Sequence, residues 1–458
     1  MNADFRRSRK KSAFICMYLR PIMFILLLFA LLGTLVGSAL ALIPALHVYT
    51  VAGLVMLWTL AHPNALPPEN LALFFMGLVV GYAFLNTIPS IFFSAPDDST
   101  IFLTLPGQRY LLEGRGHEAA LLTGAGGLGG LAFLLLLTPL APLILPPIRN
   151  LTQAHLHWIL GLIIVFMLMS EWPRHEPRGT PWQQFFGAWR GLGAGLLTFL
   201  LSGLLGFVLM YRSFVPTQVA FQNLIPAFVG LFAIPSLLVA LFTHERIPPQ
   251  HVGDSLDVSP GLLARGVLAG ILGGMFAAFF PVVTGGIGGF LAGHATAQRD
   301  RRVLIISQGT NKVVYYLGAY LLFFTPNLHL ARGGLAAMVS TIFTAYTPTT
   351  YYTVSAAMAL SGVLAFFLLQ LFSRWTAKVV AQMSQRWLAA GTLIVLLAVV
   401  VGLTRWGGLA VMVVASGIGL IPIMWGARRA NCLGVLLLPL TLNMMGWGAG
   451  VAKLLGLI

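Results

Sequence analysis

Charged residues divide the chain into long uncharged stretches. No Asp, Glu, Lys or Arg occurs in residues 21–68, 70–96, 119–148, 150–170, 191–211 or 213–244. The same holds for 266–298, 313–331, 333–373, 387–404, 406–427 and 430–452. A helix that crosses a bilayer needs roughly 20 predominantly apolar residues, and each of these twelve windows is about that long or longer. The longest have room for two helices, or for a helix and a re-entrant hairpin. The pattern predicts an all-α polytopic membrane protein with about 10–14 transmembrane or re-entrant helices. No stretch alternates apolar and polar residues long enough to predict a β-barrel.

Within the windows a degenerate repeat is visible. Gly33, Gly37 and Pro44 in "GTLVGSALALIP" recur as Gly270, Gly274 and Pro281 in "GILGGMFAAFFP", with the same spacing and an offset of 237 residues. Each Pro is followed by a polar or Gly-rich stretch, "ALHVYT" or "VVTGGIGG". A further apolar segment with an internal Gly (Gly77, Gly309) then runs into Pro96 or Pro326. GxxxG lets two membrane helices approach closely. Pro and small polar residues at helix depth predict a broken helix, tolerated only where the freed backbone faces protein or a wet cavity. Corresponding breaks in two halves point to the binding site of a secondary transporter. The expected organisation is a basic N-terminus (1–20), a first membrane half (21–242), an inter-half loop (243–261) and a second membrane half (262–458). The loop "THERIPPQHVGDSLDVSPG" is rich in Pro, Gly and polar residues.

Composition agrees with the pattern. Hydrophobic residues make up 58% of the chain and charged residues 9%, against about 25% charged in soluble domains. The net charge of +15 does not indicate nucleic-acid binding, because the basic residues sit in short loops such as "RDRR" and "ARRAN", as the positive-inside rule requires. Arg6, Arg7, Arg9, Lys10, Lys11 and Arg20 precede the first apolar run and place the N-terminus in the cytoplasm of a multi-pass plasma-membrane protein. The run is long and no small-residue cleavage site follows it, so it reads as a retained helix. Cys16 and Cys432 do not suggest a disulfide. No His/Cys cluster suggests a metal, and no nucleophile–base set suggests an enzyme; no cofactor is expected. "GAGGLGG" (124–130) lacks the Lys and the preceding strand of a phosphate loop and reads as helix packing.

The run "IPSIFFSAPDDSTIFLTLPGQRYLLEGRGHEAALLT" (88–123) resembles the signature region of the TctA-like membrane proteins, relatives of the large permease subunit of tripartite tricarboxylate transporters. "LIPALHVYTV" (42–51), "NLIPAFVGLFAIPSLL" (223–238), "FFPVVTGGIGG" (279–289) and "GIGLIPIMWGARRANCLGVLLLPL" (417–440) extend the resemblance in the expected order. It is closest to the stand-alone branch common in archaea. The resemblance implies a permease of two homologous halves, which in the classical systems is assisted by a small membrane subunit and an extracytoplasmic binding protein. Neither is evident in this chain. Where the family often has Pro-Gly at the helix break, this chain has Pro44-Ala45 and Pro281-Val282. The Lys in "SQGTNKVVYY" is a further departure.

The candidate substrate-binding residues are Pro44, His47 and Thr50 at the first break, Pro281, Thr284 and Gly285 at the second, and Thr310, Asn311 and Lys312. A helix N-terminus at either break favours an anionic group; the alternative is ordinary inter-helix hydrogen bonding. Lys312 lies deep in an apolar run and must pair or lose its proton, unless it snorkels to the interface. Asp97 and Asp98 have two readings. They carry a coupling ion, or they cap the helix that comes after Pro96. The leading expectation is a secondary transporter that moves a small organic anion, carboxylate-like, coupled to H⁺ or Na⁺. Its partners are the lipid bilayer, the anion and the cation, and a homo-oligomer is compatible with the GxxxG motifs. The alternative is a translocase of a polyprenyl-phosphate or other anionic lipid, for which a groove open to lipid would speak.

Overall fold

The computed structural model describes residues 23–44, 46–62, 65–173, 179–215, 223–242, 246–253, 255–344 and 346–458. The basic N-terminus expected over 1–20 lies outside the described residues. Among the described residues there is no strand, only an isolated bridge between Arg246 and Ser384.

Seven helical stretches are long and apolar enough to cross a membrane: α1 (Met23–Leu40), Pro68–Phe92, α6 (Gly116–Leu137), α9 (Pro181–Tyr211), α12 (Pro260–Phe279), α16 (Pro348–Val380) and α17 (Gln385–Trp425). Pro68–Phe92 consists of α3 (Pro68–Leu85) and α4 (Thr87–Phe92), which meet at Asn86. Two bent pairs raise the number of spans to nine: α7 (Ala141–Gln153) with α8 (Leu156–Met169), at 81°, and Arg429–Met444 with α19 (Gly448–Leu454), at 113°. Helix α18 (Gly434–Met444) belongs to the second pair. Shorter apolar helices fill the remaining windows: α2 (Val48–Ala61), and Ile225–Leu241, which consists of α10 (Ile225–Phe228), a π-helical turn (Val229–Ala233) and α11 (Ile234–Leu241). The 41 residues of α17 would reach ~60 Å if straight, about twice the hydrocarbon thickness. Its backbone leaves the helical region at Arg405 (φ 56°, ψ −156°), the residue that separates the windows 387–404 and 406–427.

The helix at the centre of the fold is the one the hydropathy pattern hides. Helix α14 (Arg301–Phe324) buries 20 of its 24 residues, packed against α12 and α6. It faces protein rather than lipid, so it can carry Ser307, Gln308, Thr310, Asn311 and Lys312 on its buried surface. Small residues permit the close packing. A side chain on Gly270 or Gly274 would meet the Ser307 and Asn311 carbonyls, and one on Gly126 the Ile306 carbonyl. The "GAGGLGG" run is accordingly packing surface on α6. In the first half, Gly33 and Gly37 receive the backbone of Phe74 and Leu78, and Gly77 receives that of Ala30. Both GxxxG motifs are thus used within the chain.

Candidate functional site

Both Gly-xxx-Gly…Pro segments break where the sequence places the break, and the next helices start in register. Helix α2 begins after His47, whose Nδ1 accepts the Tyr49 N–H at 3.2 Å. Helix α13 (Gly285–Ala295) begins after Thr284, whose Oγ1 accepts the Ile287 N–H at 3.4 Å. The two capping residues are 237 positions apart in the sequence, the repeat offset. Both helix N-termini open on one cavity of about 400 Å³. Pro44, His47, Thr50, Pro281 and Thr284 all line it, as do Asp97 and Asp98. At the second break Val282 has φ +64°, a left-handed conformation that costs a β-branched residue free energy.

The loop between α4 and α5 (Ile101–Leu112) separates the two carboxylates by role. Oδ1 of Asp97 accepts the N–H groups of Ser99 (3.0 Å) and Thr100 (2.9 Å) and both their hydroxyls (2.8 Å each). Its Oδ2 accepts from the Tyr82 hydroxyl (2.8 Å) and Asn86 Nδ2 (3.0 Å). Asp97 thus holds the loop that leads into α5 and ties it to α3 while also lining the cavity; α5 itself starts after Thr100 without a side-chain cap. Among the described residues Asp98 makes no hydrogen bond to another side chain, and it is the more available of the two. Ligand atoms of His47, Asp97 and Asp98 lie within 4.8 Å of one another, a set able to hold a cation. Of the two His47 nitrogens, Nδ1 is already an acceptor and Nε2 lies 3.1 Å from the Tyr316 hydroxyl. Asp98 is therefore the freest ligand of the three.

Two buried polar groups have no partner here. Thr50 is 1% exposed and its Oγ1 has no hydrogen bond; an unpartnered buried hydroxyl on a cavity wall marks a place for a ligand or water. Arg332, which the sequence reading missed, also lines the cavity, and its buried Nε has no partner. Its signal was available: it is the lone charge between the windows 313–331 and 333–373. Also unforeseen is the π-helical turn, whose Val229 and Ala233 face the same cavity.

Four expected substrate contacts lie off the cavity wall. Thr310 donates to the Gly126 carbonyl (2.7 Å) and the Ile306 carbonyl (3.1 Å), which makes it packing glue between α14 and α6. Asn311 Nδ2 donates to the Gly285 carbonyl at 2.6 Å, fixing the start of α13. Gly285 itself is closed off, since a Cβ there would meet the Tyr315 ring and Ser99. Lys312 is 1% exposed, and its Nζ donates to Asn86 Oδ1 (2.7 Å) and the Phe84 carbonyl (3.3 Å). Because Asn86 passes its own N–H to Asp97, Lys312 reaches the acidic pair through one amide. It is an internal hydrogen-bond donor behind the acidic pair and is not part of the cavity wall.

Apolar spans and broken helices that converge on one charged cavity define a polytopic helical membrane protein. The tripartite tricarboxylate transporter TctA family matches residues 27–434, and the chain belongs to that family. It is 29% identical over 291 residues to an uncharacterized protein of Methanocaldococcus jannaschii, covering 62% of this chain and 65% of that relative, just under two thirds of its length. No solved structure matches.

Proposed function

We propose that the chain is a secondary transporter of the plasma membrane that moves a small organic anion of the carboxylate class, coupled to H⁺ or Na⁺. The observation that carries this reading is the meeting of two helix N-termini, at His47 and Thr284, with Asp98 and Arg332 on one cavity. Each N-terminus supplies roughly half a positive charge and Arg332 a whole one. The acidic pair opposes an anion until a cation joins it, so anion and cation favour each other's binding. Asp98 takes the coupling cation and Asp97 positions the loop. Thr50, Thr284 and Arg332 take the anion. The halves 21–242 and 262–458 rock against each other around this fixed site. A volume of about 400 Å³ lies at the small end of ligand pockets and favours a compact solute over an isoprenoid chain.

Uptake of radiolabelled citrate by proteoliposomes tests the proposal. Accumulation should follow an imposed H⁺ or Na⁺ gradient. Uptake indifferent to both gradients would remove the coupling. Failure to bind citrate, together with scrambling of a labelled polyprenyl-phosphate, would favour the lipid reading.

A further inference from the structure

A second cavity, of about 420 Å³, lies where α13 ends and α14 begins. Helices α5 and α13 connect it to the first. Asp98 and Thr284 stand at their N-terminal ends on the central cavity, whereas Phe102 and Phe290, one turn or more further on, line the second. The two rings stack with centroids 5.5 Å apart between the sites.

The second cleft is built differently from a packing defect. Gln308 is 1% exposed and lines it, yet neither its Nε2 nor its Oε1 has a hydrogen-bond partner. The Oε1 of Gln298, also on the wall, is buried and unpaired. Arg299, His294 and Arg428 complete the polar lining, which contains no carboxylate. The Arg428 guanidinium lies 3.2 Å from His294 Nε2 and 5.5 Å from the centre of the Phe290 ring. The C-terminal half-charge of α13 opposes an anion here, but the whole charge of Arg299 outweighs it. A guanidinium and an amide N–H call for a carboxylate oxygen. Two unpaired amide oxygens call for a donor on the same molecule, because a buried acceptor left unpaired is costly.

We propose that this cleft is a second anion site, specific for a small hydroxycarboxylate, whose carboxylate meets Arg299 and Gln308 Nε2 and whose hydroxyl donates to the amide oxygens of Gln308 or Gln298. The site stands on its own lining and does not require that the chain transport anything.

Ala297 lines the cleft without being one of these ligands. The test is the rate at which Ala297→Cys is alkylated by a charged maleimide, in full-length protein carrying Cys16→Ser; Cys432 is fully buried. Citrate should slow the reaction, and tricarballylate, which lacks the hydroxyl, should need about a tenfold higher concentration to match it. Adding Arg299→Gln should weaken citrate protection by about tenfold, while adding Arg332→Gln in the central cavity should leave it unchanged. Gln308→Leu together with Gln298→Leu should abolish the preference for citrate over tricarballylate. If that variant does not fold, the Arg299→Gln arm decides alone, since Arg299 is exposed. No protection by citrate, or protection untouched by Arg299→Gln, overturns the site. Protection lost with Arg332→Gln assigns the effect to the central cavity and also overturns it. Equal protection by the two acids overturns the hydroxyl specificity. Proteoliposome uptake measured on the same protein reads the transport proposal separately, so either can fail alone.

Discussion

Replacing Asp98 by Asn should separate coupling from anion binding. The ligand atoms of Asp97 and Asp98 lie within 4.8 Å of each other. At an effective dielectric near 20, two like charges at that distance repel by about 3 kcal/mol. A coupling cation relieves this repulsion, and so does removing one charge. Since Asp98 supports no other side chain, Asp98→Asn should fold at least as stably as the parent. In the parent, saturating cation should tighten citrate binding by about 5–150-fold, the usual range of a coupling free energy, because it offsets the repulsion between the acidic pair and the anion. In Asp98→Asn that dependence should flatten and gradient-driven uptake should be lost, while exchange of citrate down its own gradient persists. Isothermal titration across a cation series, paired with counterflow in proteoliposomes, reads both. Asp97→Asn is the control. It replaces either the oxygen that accepts from both Tyr82 and Asn86, or the one that accepts four donors in the loop, by an NH₂ that accepts nothing. A loss of roughly 3 kcal/mol is expected from hydrogen bonds to a charged group, visible as a lowered melting temperature. Cation dependence that survives intact in Asp98→Asn refutes the assignment, as does an Asp98→Asn protein that melts as early as Asp97→Asn.

Three other changes test the architecture. Arg332→Gln should raise the citrate Kd by about tenfold without lowering the melting temperature, because it removes a charge-assisted contact from a side chain whose buried Nε has no partner in the protein; titration of the purified variant checks this. Val282→Gly places in the left-handed conformation the residue that adopts it without strain, and should stabilise the protein by about 1 kcal/mol, read as a higher melting temperature. Gly77→Ala drives a methyl group into the Ala30 carbonyl and should cost about 1–3 kcal/mol by overpacking α1 against α3; a thermal-melt series with Gly191→Ala, where nothing lies within 4 Å, gives the baseline.

Much of the fold was legible because bilayer helices write their length and separation into the charge pattern. Even the backbone break at Arg405 falls on a window boundary. The cavity was legible at its breaks, since Pro44 and Pro281 stand beside polar or Gly-rich stretches, and His47 and Thr284 are able to cap α2 and α13. The roles within α14 were not legible. Depth along the chain placed Lys312 near mid-membrane, but sequence does not say which way a side chain turns on a helix buried on all sides. Lys312 turned to Asn86, Thr310 to Gly126, and Asn311 to the start of α13. Arg332 was overlooked for the opposite reason: it lies in a connection between apolar windows, where a single charge reads as a surface loop. The division of labour between Asp97 and Asp98 was out of reach as well, because it depends on Tyr82 and Asn86 arriving from another helix.

If the chain is built of two corresponding halves, the segments after Pro96 and Pro326 are counterparts. One carries the two carboxylates and no cation; the other, leading into α15 (Gly334–Val339), carries Arg332 and no carboxylate. Both reach the same cavity. On that reading two copies of one motif have taken opposite charges, which suits the proposed binding of a cation on one side and an anion on the other. A symmetric pair of carboxylate loops would repel the anion, and a symmetric pair of arginines would leave no place for the coupling ion. Lys312 lies in the second of these halves and donates to Asn86 in the first. If the halves move as proposed, that contact is kept or broken as they do, and the Lys312–Asn86–Asp97 chain is where both would feel occupancy of the acidic pair.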